Sequence, residues 1–134
     1  MSNSASDQDI QQAAERIVQQ RVGLARKEEV IAVYNDLIQT IWDRLTPTLG
    51  RVTVAAIMER SLAATVERYR FMRNLRVTRE GMTFDALREH LDDQERDSIR
   101  DGMKDLITNL IDLLAMLTGD IIVRNLIREI EGEK

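Results

Sequence analysis

Five arginines fall within twelve residues near the middle of this chain, and aromatic side chains lie among them. A guanidinium group binds carboxylate and phosphate through paired hydrogen bonds. Arginine and aromatic side chains are also enriched at protein interfaces. The stretch runs from Arg68 to Arg79, and its candidate interaction residues are Arg70, Arg73, Arg76, Arg79, Tyr69 and Phe71.

Three interpretations of this basic stretch remain open. Residues 67–80 carry a net charge of +3, and residues 85–105, which follow directly, carry −4. The first interpretation is a connector whose arginines pair with those acids inside the fold. The second is a protein interface, and the third is a nucleic-acid surface. The net charge of the whole chain is −4, which weighs against a dedicated nucleic-acid binder.

Catalytic and metal-binding patterns are scarce. The sequence has one histidine, His90. A role as a phosphate acceptor is unfavourable, because the carboxylates of Asp92 and Asp93 beside it would repel a phosphoryl group. We therefore interpret His90 as a solvent-facing residue at a helix C-terminus. The sequence has no Glu-x-x-His motif, and the acidic run DDQERDSIRDGM lacks the ligand order of a calcium loop. It also has no cysteine, no G-x-S-x-G and no P-loop. We therefore predict no cofactor, no metal and no enzymatic activity.

The length of 134 residues predicts a single helical domain over 7–134, preceded by a flexible N-terminus at 1–6. Glycine, proline and aromatic residues are few, whereas good helix formers dominate. No apolar run approaches the ~20 residues of a membrane span, and the N-terminus does not resemble a secretory signal. We expect a cytoplasmic protein.

Apolar residues at helical spacing predict the first three helices. The first would begin near Asp7, with Ser6 as N-cap, and either end at Gly23 or continue through it. The second would end at Thr46-Pro47, and the third would begin after Gly50. Their apolar stripes are Ile10, Ala13, Ala14, Ile17 and Val18; then Val30, Ile31, Tyr34, Leu37, Ile38, Ile41, Trp42 and Leu45; then Val52, Val54, Ala55, Ile57, Met58, Leu62, Val66 and Tyr69.

The pattern changes after Leu75, where apolar and polar residues alternate. This alternation and Gly81 predict a short β-hairpin or an extended insertion near 75–84. A short helix over 84–91 would follow, capped by Thr83 or Asp85, with Leu87 and Leu91 inward. From about Asp97 the stripe comprises Ile99, Met103, Leu106, Ile107, Leu110, Ile111, Leu114 and Leu117, and beyond Gly119 it comprises Ile122, Val123, Leu126, Ile127 and Ile130. These two segments would be separate helices or one kinked helix.

The predicted fold is all-α, a bundle of about four main helices with the insertion near 75–84. We interpret the methionines after the first residue as core filler. The abundance of apolar helix surface favours a homodimer. The predicted function is a non-enzymatic module, a small regulatory or signalling adaptor that binds another protein. The alternatives are a bundle that senses a small molecule or lipid, and nucleic-acid binding through Arg68–Arg79.

Overall fold

The computed structural model describes residues 9–16, 27–90 and 94–132. Within these ranges the chain forms an all-α bundle with a small two-stranded insertion, as predicted. The elements are α1 (9–16), α2 (Lys27–Leu49), α3 (Arg51–Arg68), a 3-10 helix (Arg70–Asn74), β1 (Arg76–Thr78), β2 (Gly81–Thr83), α4 (Asp85–Glu89), α5 (Arg96–Thr118) and α6 (Asp120–Gly132).

The core lies between the apolar faces of the long helices. All eight predicted residues of the α2 stripe are buried, from Val30 to Leu45, and so is the α5 stripe from Ile99 to Leu114. In α1 the predicted Ile10, Ala13 and Ala14 are buried. The predicted Ser6, Asp7, Ile17, Val18 and Gly23 lie outside the described residues, as does Leu91.

Polar contacts between α3 and α5 show the relative direction of the two helices. Asn109 Nδ2 of α5 donates a hydrogen bond of 2.9 Å to Thr65 Oγ1 of α3. It donates another of 3.1 Å to Asp105 Oδ2, which lies one turn earlier on α5. Asp105 also pairs with Arg68 Nη1 at 3.2 Å. Because Thr65 meets Asn109 while Arg68 meets Asp105, the two helices are antiparallel.

Single glycines join two pairs of helices. Gly50 separates α2 from α3, and Gly119 separates α5 from α6, so the last two stripes form separate helices. Both glycines have φ of +86° and extended ψ, a combination that other residues rarely adopt. The N–H group of each donates to the carbonyl four residues earlier, which completes the preceding helix.

The insertion is the predicted hairpin. β1 and β2 are antiparallel, with Val77 opposite Met82. Gly81 has φ of +125° and lies against Trp42 of α2, so the hairpin packs on the bundle rather than projecting from it. The short helix that follows is Asp85–Glu89, less than the predicted 84–91, and Leu87 is buried as expected.

Four expectations were wrong near helix ends. Proline was expected to stop α2, yet the helix continues to Leu49, because Pro47 lies in its last turn and the N–H of Gly50 closes that turn on Thr46. Val52 was assigned to the core but is 85% exposed. Leu117 is 55% exposed and Met116, expected as core filler, is 71% exposed. Both lie in the last turn of α5, where Met116 borders an open groove beside α1 rather than the core.

Tyr34 combines full burial with an unpaired hydroxyl. Its side chain has no exposed surface, and its Oη makes no hydrogen bond to any residue in the described ranges. Burial raises the pKa of Tyr34; Arg100 nearby opposes this increase and Asp101 adds to it. The phenol therefore stays protonated in the folded protein above pH 10, where an unfolded tyrosine ionises.

We expect the Tyr34→Phe variant to be more stable than the parent protein by about 1 kcal/mol, because the substitution removes a buried hydroxyl that has no partner. The parent should also lose stability above about pH 10, since only the unfolded state then releases the proton, and the variant should lose less. Urea denaturation at neutral and alkaline pH measures both effects. Tyr69→Phe, at a half-buried tyrosine, is the control. A clear loss of stability in Tyr34→Phe at neutral pH would show that the hydroxyl has a partner.

Candidate anion-binding cleft

The 3-10 helix carries the first two of the candidate arginines. Arg70 and Arg73 are three residues apart, and residues at this spacing lie on the same face of a 3-10 helix. Asn74 Nδ2 donates a 2.9 Å hydrogen bond to the carbonyl of Phe71, and the N–H of Leu75 donates to Met72. These bonds hold the C-terminal end of the short helix, so both guanidinium groups extend from one side of a fixed backbone.

Gly102 of α5 provides the surface on which the 3-10 helix packs. A Cβ atom at this position would lie 2.9 Å from Phe71 Cζ and 3.1 Å from Met72 Sδ. Met72 is fully buried, and Phe71 is half-buried with its ring edge-on to Tyr69 at a centroid distance of 6.4 Å. The absence of a side chain at Gly102 therefore determines how closely the arginine-bearing segment approaches the bundle.

An open cleft of about 540 Å³ lies between the 3-10 helix and the residues His90 and Gln94. One wall consists of the exposed side of the 3-10 helix, and the other includes His90, at the end of α4, and Gln94, just before α5. We call this feature the arginine cleft, and its residues are Arg70, Phe71, Arg73, Asn74, His90 and Gln94.

Among the described residues the arginine cleft carries positive charge, because none of these residues neutralises its arginines. Arg70 and Arg73 form no ion pair with any residue in the described ranges. The acids that follow them pair locally instead: Asp97 with Arg96 and Arg100 at 3.7 Å, and Asp85 with Arg88 at 3.7 Å. Among the described residues, the internal pairing expected of a connector is present for Arg68, which pairs with Asp105.

The structure brings together three of the six predicted interaction residues. Arg70, Phe71 and Arg73 line the cleft, and Tyr69 supports the ring of Phe71 from outside it. Arg76 is exposed on β1, and Arg79 lies in the hairpin turn, where it lines a different groove beside α3. The stretch that looked continuous in sequence is therefore divided between two surfaces.

Sequence analysis missed several residues that build the cleft. Asn74 and Gln94 gave no signal, because single amides in polar segments are common. His90 was interpreted correctly as exposed at a helix end, but its position opposite two arginines depends on tertiary packing. A lone glycine within the α5 stripe was the one available clue, since glycine inside a helix often marks a close approach by another segment.

The chemistry of the arginine cleft is that of anion recognition. A guanidinium offers a planar set of N–H donors that match carboxylate or phosphate oxygens, and it tolerates loss of water better than an ammonium group. The cleft is lined by no carboxylate from the described residues. Within the same ranges, no group of three or more His, Cys, Asp or Glu side chains could hold a metal ion.

No helix in the described part of the chain is both long enough and apolar enough to cross a membrane. No protein family model, curated protein or solved structure matches this chain. The contacts and charges of the arginine cleft are therefore the basis on which a function is proposed.

We expect Gly102→Ala to lower the free energy of unfolding by about 1 kcal/mol. The gain in helix propensity, also about 1 kcal/mol, is outweighed by overpacking against Phe71 and the fully buried Met72. Thermal and urea denaturation measure the change. Gly132→Ala is the matched control, because Gly132 ends α6 with no other atom near its missing Cβ. If Gly102→Ala is as stable as the parent, the close approach of the 3-10 helix is not as described.

Proposed function

We propose that this protein is a non-enzymatic binding module, a small regulatory or signalling adaptor whose arginine cleft receives an acidic segment of a partner protein. The observation that carries this proposal is the pair of guanidinium groups, Arg70 and Arg73, on one face of the 3-10 helix, which form no ion pair with a described residue. Two arginines held on one side of a packed backbone are arranged to bind carboxylates on alternate residues of an extended peptide, which point to the same side.

The walls of the cleft support a protein partner. Phe71 supplies an aromatic surface beside the two arginines, and Gln94 supplies an amide that can bind peptide groups. Arginine and aromatic side chains are the residue types that most often dominate the binding energy of protein interfaces. The cleft is also open, so it can accommodate a chain that enters and leaves it.

Nucleic acid is the weaker alternative because the arginines do not form a continuous track. Arg76 and Arg79 lie on the hairpin, outside the cleft. Nucleic-acid binders commonly contact about six or more phosphates. The two arginines of the cleft would neutralise about two phosphates, if each binds one. The net charge of −4 would also repel a polyanion at longer range.

A free small anion is the other competing ligand. The volume of about 540 Å³ is within the range of small-molecule pockets, but such pockets are mostly apolar and enclosed, whereas five of the six residues that line the cleft are polar. An acidic peptide can contact both arginines and extend out of the open cleft, whereas a small anion contacts only the arginines.

We expect the protein to bind a short fluorescein-labelled peptide of alternating glutamate and serine, with an affinity that falls as salt is raised. Arg70→Ala combined with Arg73→Ala should weaken binding by about tenfold or more, since a hydrogen bond to a charged group contributes about 1.5–3 kcal/mol. Fluorescence anisotropy measures the affinity. A lysine–serine peptide should not bind.

The hairpin provides a matched control for these variants. Arg76→Ala combined with Arg79→Ala removes the same charge from exposed positions outside the cleft and should change the affinity less than about twofold. Equal losses in both double variants would mean that net charge, rather than the cleft, binds the peptide. A single-stranded oligonucleotide that binds more tightly than the peptide would favour the nucleic-acid alternative. Inorganic phosphate that displaces the peptide at comparable concentration would favour a small anion.

A further inference from the structure

A second groove, distinct from the arginine cleft, lies between the first half of α3 and β1. Its volume is about 650 Å³, and we call it the α3 groove. Its floor is apolar, formed by Ala55, Ala56 and Val77, and Val52 beside them is 85% exposed. This apolar surface is small, so what it binds must be argued from the charges around it.

Along α3 the charges at the two ends of the groove are opposite, and Arg79 of the hairpin turn adds a positive charge on the side of β1. Arg51 and Glu59 both line the groove, with the apolar residues between them along α3. They are eight residues apart, which is about 12 Å along a helix axis, so they cannot pair with each other. Neither forms an ion pair with a residue in the described ranges.

The order of Arg51 and Glu59 along α3 is complementary to the same order on an antiparallel second copy. Arg51 and Glu59 lie at equal distances on either side of Ala55. If two α3 helices pack antiparallel about a two-fold axis at Ala55, Arg51 of each copy lies level with Glu59 of the other. We propose that a second copy of this chain occupies the α3 groove in this arrangement, which gives two reciprocal ion pairs around an apolar centre.

Two further features of α3 fit this arrangement. Ala55 and Ala56, at the crossing point, have small side chains that allow two helices to approach closely. The first turn of α3 contains no acidic residue, and its N-cap, Gly50, provides no side-chain hydrogen bond. Glu59 of the second copy would bring a carboxylate to this positive end of the helix, where a negative charge is stabilising.

The α3 groove shares no residue with the arginine cleft. A dimer formed through the groove would therefore leave the cleft of each copy open, and the assembly would present two anion-binding clefts. Simultaneous engagement of both clefts would strengthen binding to a partner that contains two acidic segments.

Sedimentation velocity over a range of protein concentrations tests the proposal. We expect the parent protein to sediment as a dimer, at twice the 15.4 kDa of one chain. Arg51→Glu and Glu59→Arg should each raise the dimer dissociation constant by about tenfold or more, because each places two like-charged pairs across the interface. A mixture of the two variants should form heterodimers, and the double variant should dimerise again.

Matched variants on the same helix separate this interface from general charge effects. Glu67→Arg changes the charge equally at an exposed position outside the groove and should leave dimerisation unchanged. Ala56→Glu should prevent dimerisation, and Ala64→Glu, also exposed and outside the groove, should not. Circular dichroism confirms that each variant is folded.

Two results would overturn the proposal. One is a parent protein that remains monomeric at all concentrations. The other is a dimer that Arg51→Glu, Glu59→Arg and Ala56→Glu all leave unchanged, which would place the contact on another face. Failure here is distinguishable from failure of the proposed function, because peptide binding can be measured separately on the monomeric variants.

Discussion

The packing of the 3-10 helix against Gly102 is the constraint on which the arginine cleft depends. At this point α5 has no side chain, so Met72 can be fully buried and Phe71 can lie beside it. Phe71 and Met72 pack against the bundle. Arg70 precedes this pair and Arg73 follows it, so both arginines are directed away from the bundle. A larger residue at position 102 would collide with the side chains of Phe71 and Met72, which hold the 3-10 helix against α5.

The charge of the cleft follows from a competition among ion pairs. The acids of α4 and the start of α5 have arginines one or three positions away, such as Arg96 and Arg100 for Asp97. Such local pairs require no ordering of a distant segment, so they form in preference to long-range ones. Arg68 does form a long-range pair, because its helix already packs on the one that bears Asp105. Arg70 and Arg73 form no ion pair with the described residues and are available for other contacts.

The two proposed binding surfaces lie on different parts of one scaffold. The arginine cleft is lined by the 3-10 helix, His90 and Gln94, whereas the α3 groove is lined by the outer side of α3 and the hairpin. The contact of Thr65 and Arg68 with α5 lies in the second half of α3, away from the groove. An all-α bundle can thus hold one helix in its core and still offer part of that helix to another chain.

The sequence by itself determined the helices, the hairpin and most of the core. The eight-residue stripe of α2 is buried in full because apolar residues at helical spacing form one continuous face, which is a local property of the chain. Periodicity cannot show which parts of an apolar face other elements cover, so it wrongly assigned Val52 and Leu117 to the core. Only the tertiary structure decided that Arg70 and Arg73 share a cleft with His90 while Arg76 and Arg79 do not. The physical reason is that a cleft forms between segments distant in sequence, and its geometry depends on how closely they pack.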